Sequence, residues 1–394
     1  MEKVLAGVKV LDFGRFIAGP FCAALLADFG ADVIRVDRVG GSEDRYVMPV
    51  TGEGEGAFFL QVNRNKRSMT LNLEAEESRG VLRRLLQTTD IVVANMPPRT
   101  IASLGLDYRS LCEVKPDIIL TASSAFGSNP LVRDRVGFDG VGQAMSGAVH
   151  MAGFPDHPIK AMVPVVDFAT AISCAFGTVM ALYERKLSGR GQEVDASLLR
   201  TALNFSSGSL IEEALLKVGR EATVNRSPNY GPSDIYKVKD GWIIVQVVGA
   251  PMFKRWVRLM GKPELLEDPR FEDDAKRGEN GTVLSDMMSQ WCAQRTRQEA
   301  LATLERARIP AGPVYSPRQA LDDEIVRGSG AFEWTRYPGV SEEVPLVASP
   351  VSLSRTPPRI ARRAPRTGEH TDEVLAEAGY SPRDIGQLRE QGVI

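Results

Sequence analysis

The sequence has few of the side chains on which metal sites and disulfide frameworks depend. Its four cysteines, Cys22, Cys112, Cys174 and Cys292, are far apart, and it has three histidines. Because there is no C-x-x-C pair and no nearby histidine cluster, the pattern argues against a zinc site and against a disulfide framework. We expect free thiols in a reducing compartment.

A strong net charge and long apolar runs are also lacking. The formal net charge is −2, so there is no broad basic footprint for nucleic acid. The N-terminus has no long apolar segment, and no stretch reaches the roughly 18 apolar residues of a membrane span. With 394 residues, 43% hydrophobic and 25% charged, the composition predicts a soluble, cytoplasmic protein without membrane or nucleic-acid partners.

Several catalytic motifs are missing as well. There is no G-x-S-x-G nucleophile elbow and no H-E-x-x-H. Gly14 and Gly19 have the spacing of a phosphate-binding loop, but Pro20 stands where that loop requires lysine. The glycines of residues 140–147 resemble a dinucleotide fingerprint only loosely, because they do not follow the first strand. If the protein is an enzyme, carboxylate chemistry is therefore favoured over Ser-His or Cys-His chemistry.

Strand-like and helix-like segments alternate over the first 200 residues, and this rhythm predicts an α/β fold with a doubly wound, mostly parallel, Rossmann-like sheet. Strands are predicted at 8–13, 32–37, 68–73, 91–94, 118–123 and 192–196. Helices are predicted at 21–29, 75–87, 168–187 and 198–218.

The alternation of strand-like and helix-like segments ends near residue 225. Residues 236–245 read as a β-hairpin with Asp240-Gly241 at its turn, and helices follow. We predict a large domain at 1–224, completed by about 340–394, and a smaller α/β domain at 225–330. Residues 331–370 are predicted to form an extended linker, followed by a helix at 371–378 and a short tail.

Four segments carry a resemblance to a known family. They are Leu5–Arg38, the stretch Asn63–Ser68 (NRNKRS), the segment Pro164–Leu199 with its G-x-G-Q strand, and Gly368–Leu375. Together they resemble the class III coenzyme A transferases, the formyl-CoA and carnitine CoA-transferase family of CaiB/BaiF type. The resemblance runs over nearly the whole chain and implies an enzyme that forms an interlocked homodimer.

The resemblance implies that Asp167 is the catalytic nucleophile. In that reaction the aspartate attacks an acyl-CoA thioester and then carries coenzyme A as an aspartyl thioester. Coenzyme A is a cosubstrate, and no metal or permanently bound cofactor is implied. From the residues alone, Asp167 is also a candidate helix N-cap, since it follows Pro164 and precedes an apolar helix. Both roles remain open at this point.

The resemblance also implies the coenzyme A contacts. They fall on Arg15, Phe16, Ile17, Ala18, Arg38, Leu71, Asn95, Arg99 and Arg135. Arg38 has the alternative of a solvated surface charge, and Leu71 that of a core residue. The sequence departs from the family at Ser103, where a phosphate-binding arginine is expected, and Arg133 and Arg135 are the basic candidates to replace it.

One position separates two reactions of this fold. The related α-methylacyl-CoA racemases need two bases, and one of them is a histidine in a G-H-D sequence. Here Phe138 occupies the histidine position, and Asp139 matches a carboxylate that transferases keep near the catalytic aspartate. Transferase is favoured, racemase is the alternative, and a non-catalytic acyl-CoA-binding protein is a third hypothesis.

The substrates are expected from the resemblance to be an acyl-CoA, with succinyl-CoA favoured, and a small carboxylic acid. A dicarboxylate such as itaconate, citramalate, mesaconate or malate requires an additional cation. Arg15, Arg45, Arg64 and Arg226 lie in segments expected to border the site and are candidates for it.

Overall fold

The computed structural model describes residues 3–132 and 134–394. Its strands are β1 (Lys9–Asp12), β2 (Asp32–Asp37), β3 (Arg67–Thr70), β4 (Ile91–Ala94), β5 (Ile119–Ser124), β6 (Gly153–Phe154), β7 (His157–Pro158), β8 (Glu193–Ser197), β9 (Ser233–Val238), β10 (Gly241–Gln246), β11 (Ala311–Pro313), β12 (Phe332–Thr335) and β13 (Val344–Val347).

The helices come in the following order: α1 (Ala18–Asp28), α2 (Ala57–Val62), α3 (Ser78–Gln87), α4 (Pro98–Ser103), α5 (Tyr108–Val114), α6 (Asp139–Met145), α7 (Ala148–Met151), α8 (Val165–Ser188), α9 (Leu198–Phe205), α10 (Ser207–Leu216), α11 (Ala250–Met260), α12 (Asp274–Glu279), α13 (Gly281–Ala293), α14 (Arg297–Arg306), α15 (Pro317–Asp322), α16 (Glu324–Gly328), α17 (Thr371–Glu377) and α18 (Pro382–Glu390). Short 3-10 helices occur at Glu43–Tyr46, Pro263–Leu266 and Pro269–Phe271.

The chain forms two compact units. The first contains residues 3–146, 161–211 and 327–394, and the second contains residues 147–160 and 212–326. The second unit thus includes the short segment 147–160, which lies outside the domain predicted at 225–330. The predicted bounds at 1–224 and 225–330 stay a prediction.

A six-stranded sheet organises the first unit. Its strand order is β3-β2-β1-β4-β5-β8, and all neighbouring pairs are parallel. Side chains alternate between its faces, so that Leu11 of β1 packs into one core cluster and Val10 into the other. Helices α3, α5, α17 and α18 contribute to the first cluster, and α1 and α8 to the second. The predicted α/β fold with a large parallel sheet is confirmed.

Most predicted elements of the sheet are confirmed, and the helix predicted at 371–378 is confirmed as α17. Strands β2 and β4 have the predicted bounds. The predicted helix at 198–218 is two helices, α9 and α10. The predicted tail is wrong, because α18 forms there with Ser381 and Asp384 as a capping box.

Helix α8 corrects another expectation. Val165–Ser188 is long and apolar enough to cross a membrane by length and composition, although no such segment was expected. One helix of this kind is weak evidence of a membrane span, because the core helices of soluble proteins meet the same criteria.

The chain end packs against the edge strand β3. The amide N–H of Ser68 donates to His370 Nδ1 (3.3 Å), and the N–H of Thr70 donates to Thr371 Oγ1 (3.1 Å). Arg67 pairs with Glu373 and Glu377 of α17, each at 2.8 Å. These contacts protect an edge that would otherwise expose unpaired backbone groups.

The second unit contains an antiparallel sheet of order β11-β10-β9. The predicted hairpin is confirmed, since Val238 pairs with Gly241 across the turn. Its core includes the fully buried Trp256 and Tyr236. In the first unit, residues 331–370, predicted to be an extended linker, contain the antiparallel pair β12 and β13.

Candidate active site

The turn after β1 lies at the carboxyl edge of the parallel sheet and is held by side chains from other loops. Asn95 clamps it from both sides, since its Oδ1 accepts the N–H of Arg15 and its Nδ2 donates to the Arg15 carbonyl, each at 2.7 Å. The N–H of Phe16 donates to Asp44 Oδ2 (3.2 Å). Phe16 has a φ of +60°, a left-handed conformation that a bulky residue adopts only when its surroundings hold it there.

A buried ion network lies beneath this turn. Arg35 pairs with Asp37 and with Asp44, both at 2.9 Å, and Arg45 pairs with Asp37 at 2.7 Å. Burial opposes ionisation of Asp37, but the charges of Arg35 and Arg45 hold its pKa well below the usual range. Because the Arg35 guanidinium also reaches the Gly14 carbonyl (3.4 Å), the network supports the turn directly.

The central feature of the site is a pair of carboxyl groups at the start of α8. Asp139 is the first residue of α6, and its Oδ2 accepts the N–H groups of Val166 (2.7 Å) and Asp167 (3.0 Å). Asp139 therefore accepts two of the N–H groups that the first turn of α8 leaves without an acceptor inside the helix. Asp167 is the third residue of that helix, and Pro164 is its N-cap residue. The hypothesis that Asp167 is the N-cap is wrong.

The two carboxyl groups differ in their surroundings. Burial raises the pKa of Asp167 to about 7, and the negative charge of Asp139 adds to the shift. The helix N–H groups that stabilise an anion point at Asp139 instead of Asp167. The raised pKa makes the ionised Asp167 carboxylate more basic than an ordinary aspartate, as suits a nucleophile or a base.

Asp167 opens into a cleft of about 60 Å³. Residues from the ends of β1, β4, β5 and β8 and from the start of α8 line it: Phe16, Ile17, Ala18, Asn95, Ser123, Ser124, Gly137, Phe138, Asp167 and Leu198. The rings of Phe16 and Phe138 meet edge to face at 5.4 Å. None of these residues is a histidine, and no group of three or more His, Cys, Asp or Glu residues in the described chain is arranged to hold a metal ion.

A second cavity of about 380 Å³ shares Ser123 and Ser124 with this cleft. Its wall is apolar at Met96, Ile101 and Leu120. The adjoining space has room for a ligand much larger than the small cleft can hold.

The structure brings part of the predicted coenzyme A set together. Phe16, Ile17, Ala18 and Asn95 line the cleft with Asp167. Leu71 does not, because its side chain is buried in the core on the α3 side of the sheet. Leu71 is thus a core residue, which was the alternative to a coenzyme A contact.

The predicted basic residues lie outside the cleft lining. Arg38 is mostly exposed and lies 3.8 Å from Glu43, and Arg99 is exposed in α4. The Arg135 guanidinium lies 6.0 Å from the ring centre of Phe126. Arg133 lies outside the described residues.

The arginines expected to bind an acid substrate make other contacts within the protein. Arg45 is bound to Asp37 and to the Pro365 carbonyl, and Arg64 forms a buried pair with Asp28 at 2.6 Å. These two residues are therefore not partners of a substrate, and that expectation is wrong. Arg15 turns its guanidinium onto main-chain carbonyls, including that of Gly14 (3.0 Å). Arg226 belongs to the second unit and donates there to the Gly278 carbonyl (3.1 Å).

Two residues that position the site were missed from the sequence. Asp44 holds Phe16 from the 3-10 helix after β2, and no sequence motif marks it. Gln143 donates to Asp139 from one turn further along α6. The spacing of four residues within a helix was the available signal for this second contact.

The fold and the cleft thus define an α/β protein with a pair of carboxyl groups at the carboxyl edge of a parallel sheet. The model of CoA-transferase family III matches residues 5–371. The succinyl-CoA–D-citramalate CoA-transferase of Chloroflexus aurantiacus is 32% identical, over 100% of this chain and 98% of that protein. The formyl-CoA:oxalate CoA-transferase of Bradyrhizobium diazoefficiens is 30% identical, over 100% and 98%.

A solved structure of a CAIB/BAIF family protein from Brucella suis superposes with a TM-score of 0.82 at 29% identity, covering 96% of this chain and 100% of that one. The chain belongs to CoA-transferase family III. It is an enzyme of the CoA-transferase class, and its family uses coenzyme A as a cosubstrate.

Proposed function

We propose that the enzyme moves coenzyme A from an acyl-CoA donor, succinyl-CoA, to a small carboxylic acid through an aspartyl-CoA thioester on Asp167. The observation that carries the proposal is the environment of Asp167. Its carboxyl group faces a cleft at the carboxyl edge of the sheet, and a second carboxylate, Asp139, is fixed behind it by the helix backbone.

The first half of the proposed reaction loads the enzyme. The Asp167 carboxylate attacks the thioester carbonyl of the donor, the C–S bond breaks, and a mixed anhydride and a CoA thiolate form. The thiolate then attacks the aspartyl carbonyl, a new C–S bond forms, and the donor acid leaves as a carboxylate. Asp167 is uncharged in both covalent intermediates, so its repulsion with Asp139 is relieved on acylation.

The second half reverses these steps with the acceptor. Its carboxylate attacks the aspartyl thioester, and CoA thiolate leaves as a second mixed anhydride forms. The thiolate attacks the acceptor carbonyl, which gives the new acyl-CoA and restores the Asp167 carboxylate. Each step is a nucleophilic displacement, and water must be kept from the intermediates.

Coenzyme A is proposed to approach along the carboxyl edge of the sheet. The Phe16–Ala18 turn and Asn95 are proposed to contact it nearest the thioester, with Leu71 contributing only its backbone. The exposed guanidinium groups of Arg38, Arg99 and Arg135 are available for its phosphates. The adjoining cavity of about 380 Å³ supports the proposal, because it offers room for further parts of a substrate.

Racemisation is less well supported by the same cleft. A racemase needs a base on each face of the carbon that loses its proton. Phe138 lines the cleft where the second base is required, and its ring cannot carry a proton. We therefore propose Asp139 as a partner of Asp167 in transfer and not as a second proton carrier.

The acceptor is proposed to be a small acid, with a dicarboxylate favoured. The names of the two relatives support this choice, since citramalate and oxalate are dicarboxylates and one of the two donors is succinyl-CoA. A panel of acids incubated with succinyl-CoA, with product CoA esters read by mass spectrometry, would identify it. Absence of any product ester across several acyl-CoA donors would refute the proposal.

We also propose that the chain works as an interlocked homodimer in the cytoplasm. One face of α8 supports the dimer, because it carries a row of exposed apolar side chains: Ile172, Phe176, Val179, Met180, Tyr183 and Leu187. A contiguous apolar surface of this kind marks an interaction site. The four free cysteines fit a reducing compartment.

Covalent trapping tests the proposed nucleophile. Wild-type enzyme incubated with succinyl-CoA and treated with hydroxylamine should give a hydroxamate at Asp167 on peptide mapping. The variant Asp167→Asn should give none, and the surface control Asp286→Asn should behave as wild type. Exchange of the C2 proton of a 2-methylacyl-CoA with deuterated water, without any adduct, would identify a racemase instead.

A further inference from the structure

The side chain of Gln143 connects Asp139 to the segment that leads into α8. Its Oε1 accepts the N–H of Ala161 (2.9 Å), and its Nε2 donates to Asp139 Oδ1 and to the Ala161 carbonyl (3.3 Å). Gln143 and Asp139 are both buried, with 4% and 8% of their surface exposed. The glutamine is therefore an internal brace and not a surface residue.

The contact with Ala161 fixes which way the amide faces. A backbone N–H can only donate, so the oxygen of Gln143 must lie toward Ala161 and its NH₂ group toward Asp139. Asp139 then receives N–H donors on both oxygens, two from the backbone of α8 on Oδ2 and one from Gln143 on Oδ1. Such an arrangement matches a carboxylate, because a protonated oxygen would meet a donor instead of an acceptor.

We propose that Gln143 is a positioning residue that keeps Asp139 ionised and thereby makes Asp167 the member of the carboxyl pair that takes up a proton. The inference rests on the reaction proposed for Asp167. Its consequence is chemical, because a fixed negative charge at Asp139 makes the Asp167 carboxylate a stronger nucleophile. The same charge disfavours the resting anion relative to the neutral acyl-enzyme.

Burial is the larger cause of the raised pKa of Asp167, and the negative charge of Asp139 adds to it. In the segment that leads into α8, Lys160 precedes Ala161. Within α6 and residues 165–175 of α8, the titratable groups are Asp139, Asp167 and Cys174. From α9, Arg200 is paired with a carboxylate of β8. From the turn after β1, Arg15 places its guanidinium on main-chain carbonyls. Gln143 contributes to this balance through its hydrogen bond to Asp139.

The pH dependence of an exchange reaction tests this. Transfer of labelled succinate into succinyl-CoA needs only the donor pair, so the unidentified acceptor is not required. Activity needs the Asp167 carboxylate, so kcat/KM should rise with pH through the raised pKa of about 7. At about pH 5.5 the wild type should keep roughly 3% of its plateau activity.

In Gln143→Leu, Asp139 loses a donor and takes a share of the proton from Asp167. The Asp167 carboxylate then persists at lower pH, and we expect at least about 10% of the plateau at about pH 5.5, with a lower plateau. Gln143→Met, which has a similar size, carries no charge and also cannot donate, should move the profile in the same direction and serves if the leucine variant does not fold. An unchanged normalised profile in a folded variant would reduce Gln143 to a structural role and overturn the inference.

A double-mutant cycle shows whether Gln143 changes the pH profile through the charge of Asp139. If Gln143 acts through the charge of Asp139, the leucine substitution should produce no further change of profile in an Asp139→Asn background. A shift of equal size in that background would refute the proposal. Failure of the wild-type enzyme to exchange any acyl-CoA with its acid would instead refute the reaction proposed at Asp167, and this inference with it.

Discussion

Replacing Asp44 with alanine should destabilise the first unit and loosen the turn that carries Phe16. Asp44 accepts two hydrogen bonds from Arg35, both at 2.9 Å, and one from the N–H of Phe16 (3.2 Å). The two side chains are 0% and 2% exposed, so removing the carboxylate leaves a buried positive charge with fewer partners. Breaking a buried pair costs roughly 3–5 kcal/mol. Arg35 keeps its contact with Asp37, which places the expected loss near about 3 kcal/mol.

Scanning calorimetry at fixed protein concentration measures this loss. At roughly 2–4 °C per kcal/mol for a domain of comparable size, the transition of the first unit should fall by about 6–12 °C. The neighbouring residue offers a matched control. Glu43 faces Arg38 at 3.8 Å, with 58% and 71% of the side chains exposed, so Glu43→Ala should cost at most about 1 kcal/mol.

Hydrogen exchange of the Phe16 amide would show whether the turn itself loosens, and the KM for acyl-CoA should rise with it. If Asp44→Ala unfolds within about 2 °C of Glu43→Ala, less than about 1 kcal/mol separates them. In that case the buried network does not hold the turn, and the account of the strained Phe16 backbone fails.

Two further predictions concern other parts of the first unit. Phe176→Glu places a charge on the apolar face of α8, where 66% of the phenylalanine is exposed, and should give monomers by native mass spectrometry. Arg79→Glu on α3 should leave the mass unchanged, and dimers of the Phe176 variant would contradict the proposed interface. Arg67→Ala removes the buried cation that joins β3 to α17 and should cost about 2 kcal/mol and expose residues 365–394 to protease. The exposed pair of Arg389 with Asp372 supplies the control variant Arg389→Ala, and equal protection of both variants would argue against this link.

The parallel sheet was predictable from sequence because its central strands are short, apolar and bounded by clear breaks. Strand β4 (Ile91–Ala94) is fully buried and reads as an uninterrupted apolar run. Helix α1 begins at Ala18, before the predicted start at Phe21, because Pro20 is tolerated in the first turn of a helix. Helix α18 was missed although Pro382 and the Ser381 cap mark its start.

The site was predictable only in part. Asp167 and Asp139 came from a family resemblance, since neither spacing nor composition distinguishes a nucleophile from a helix cap. The roles of the arginines depend on partners that the fold supplies. Arg64 finds Asp28 36 residues earlier in the chain, and only tertiary structure reveals that this cation is neutralised.

The pairing of β3 with the chain end has a consequence for how the protein is made. Ser68 and His370 are 302 residues apart in sequence, so the edge of the sheet cannot be covered until nearly the whole chain has been synthesised. Contacts of such long range form slowly. During translation the nascent sheet therefore exposes an open edge at β3, and this interval is when chaperones have most to protect.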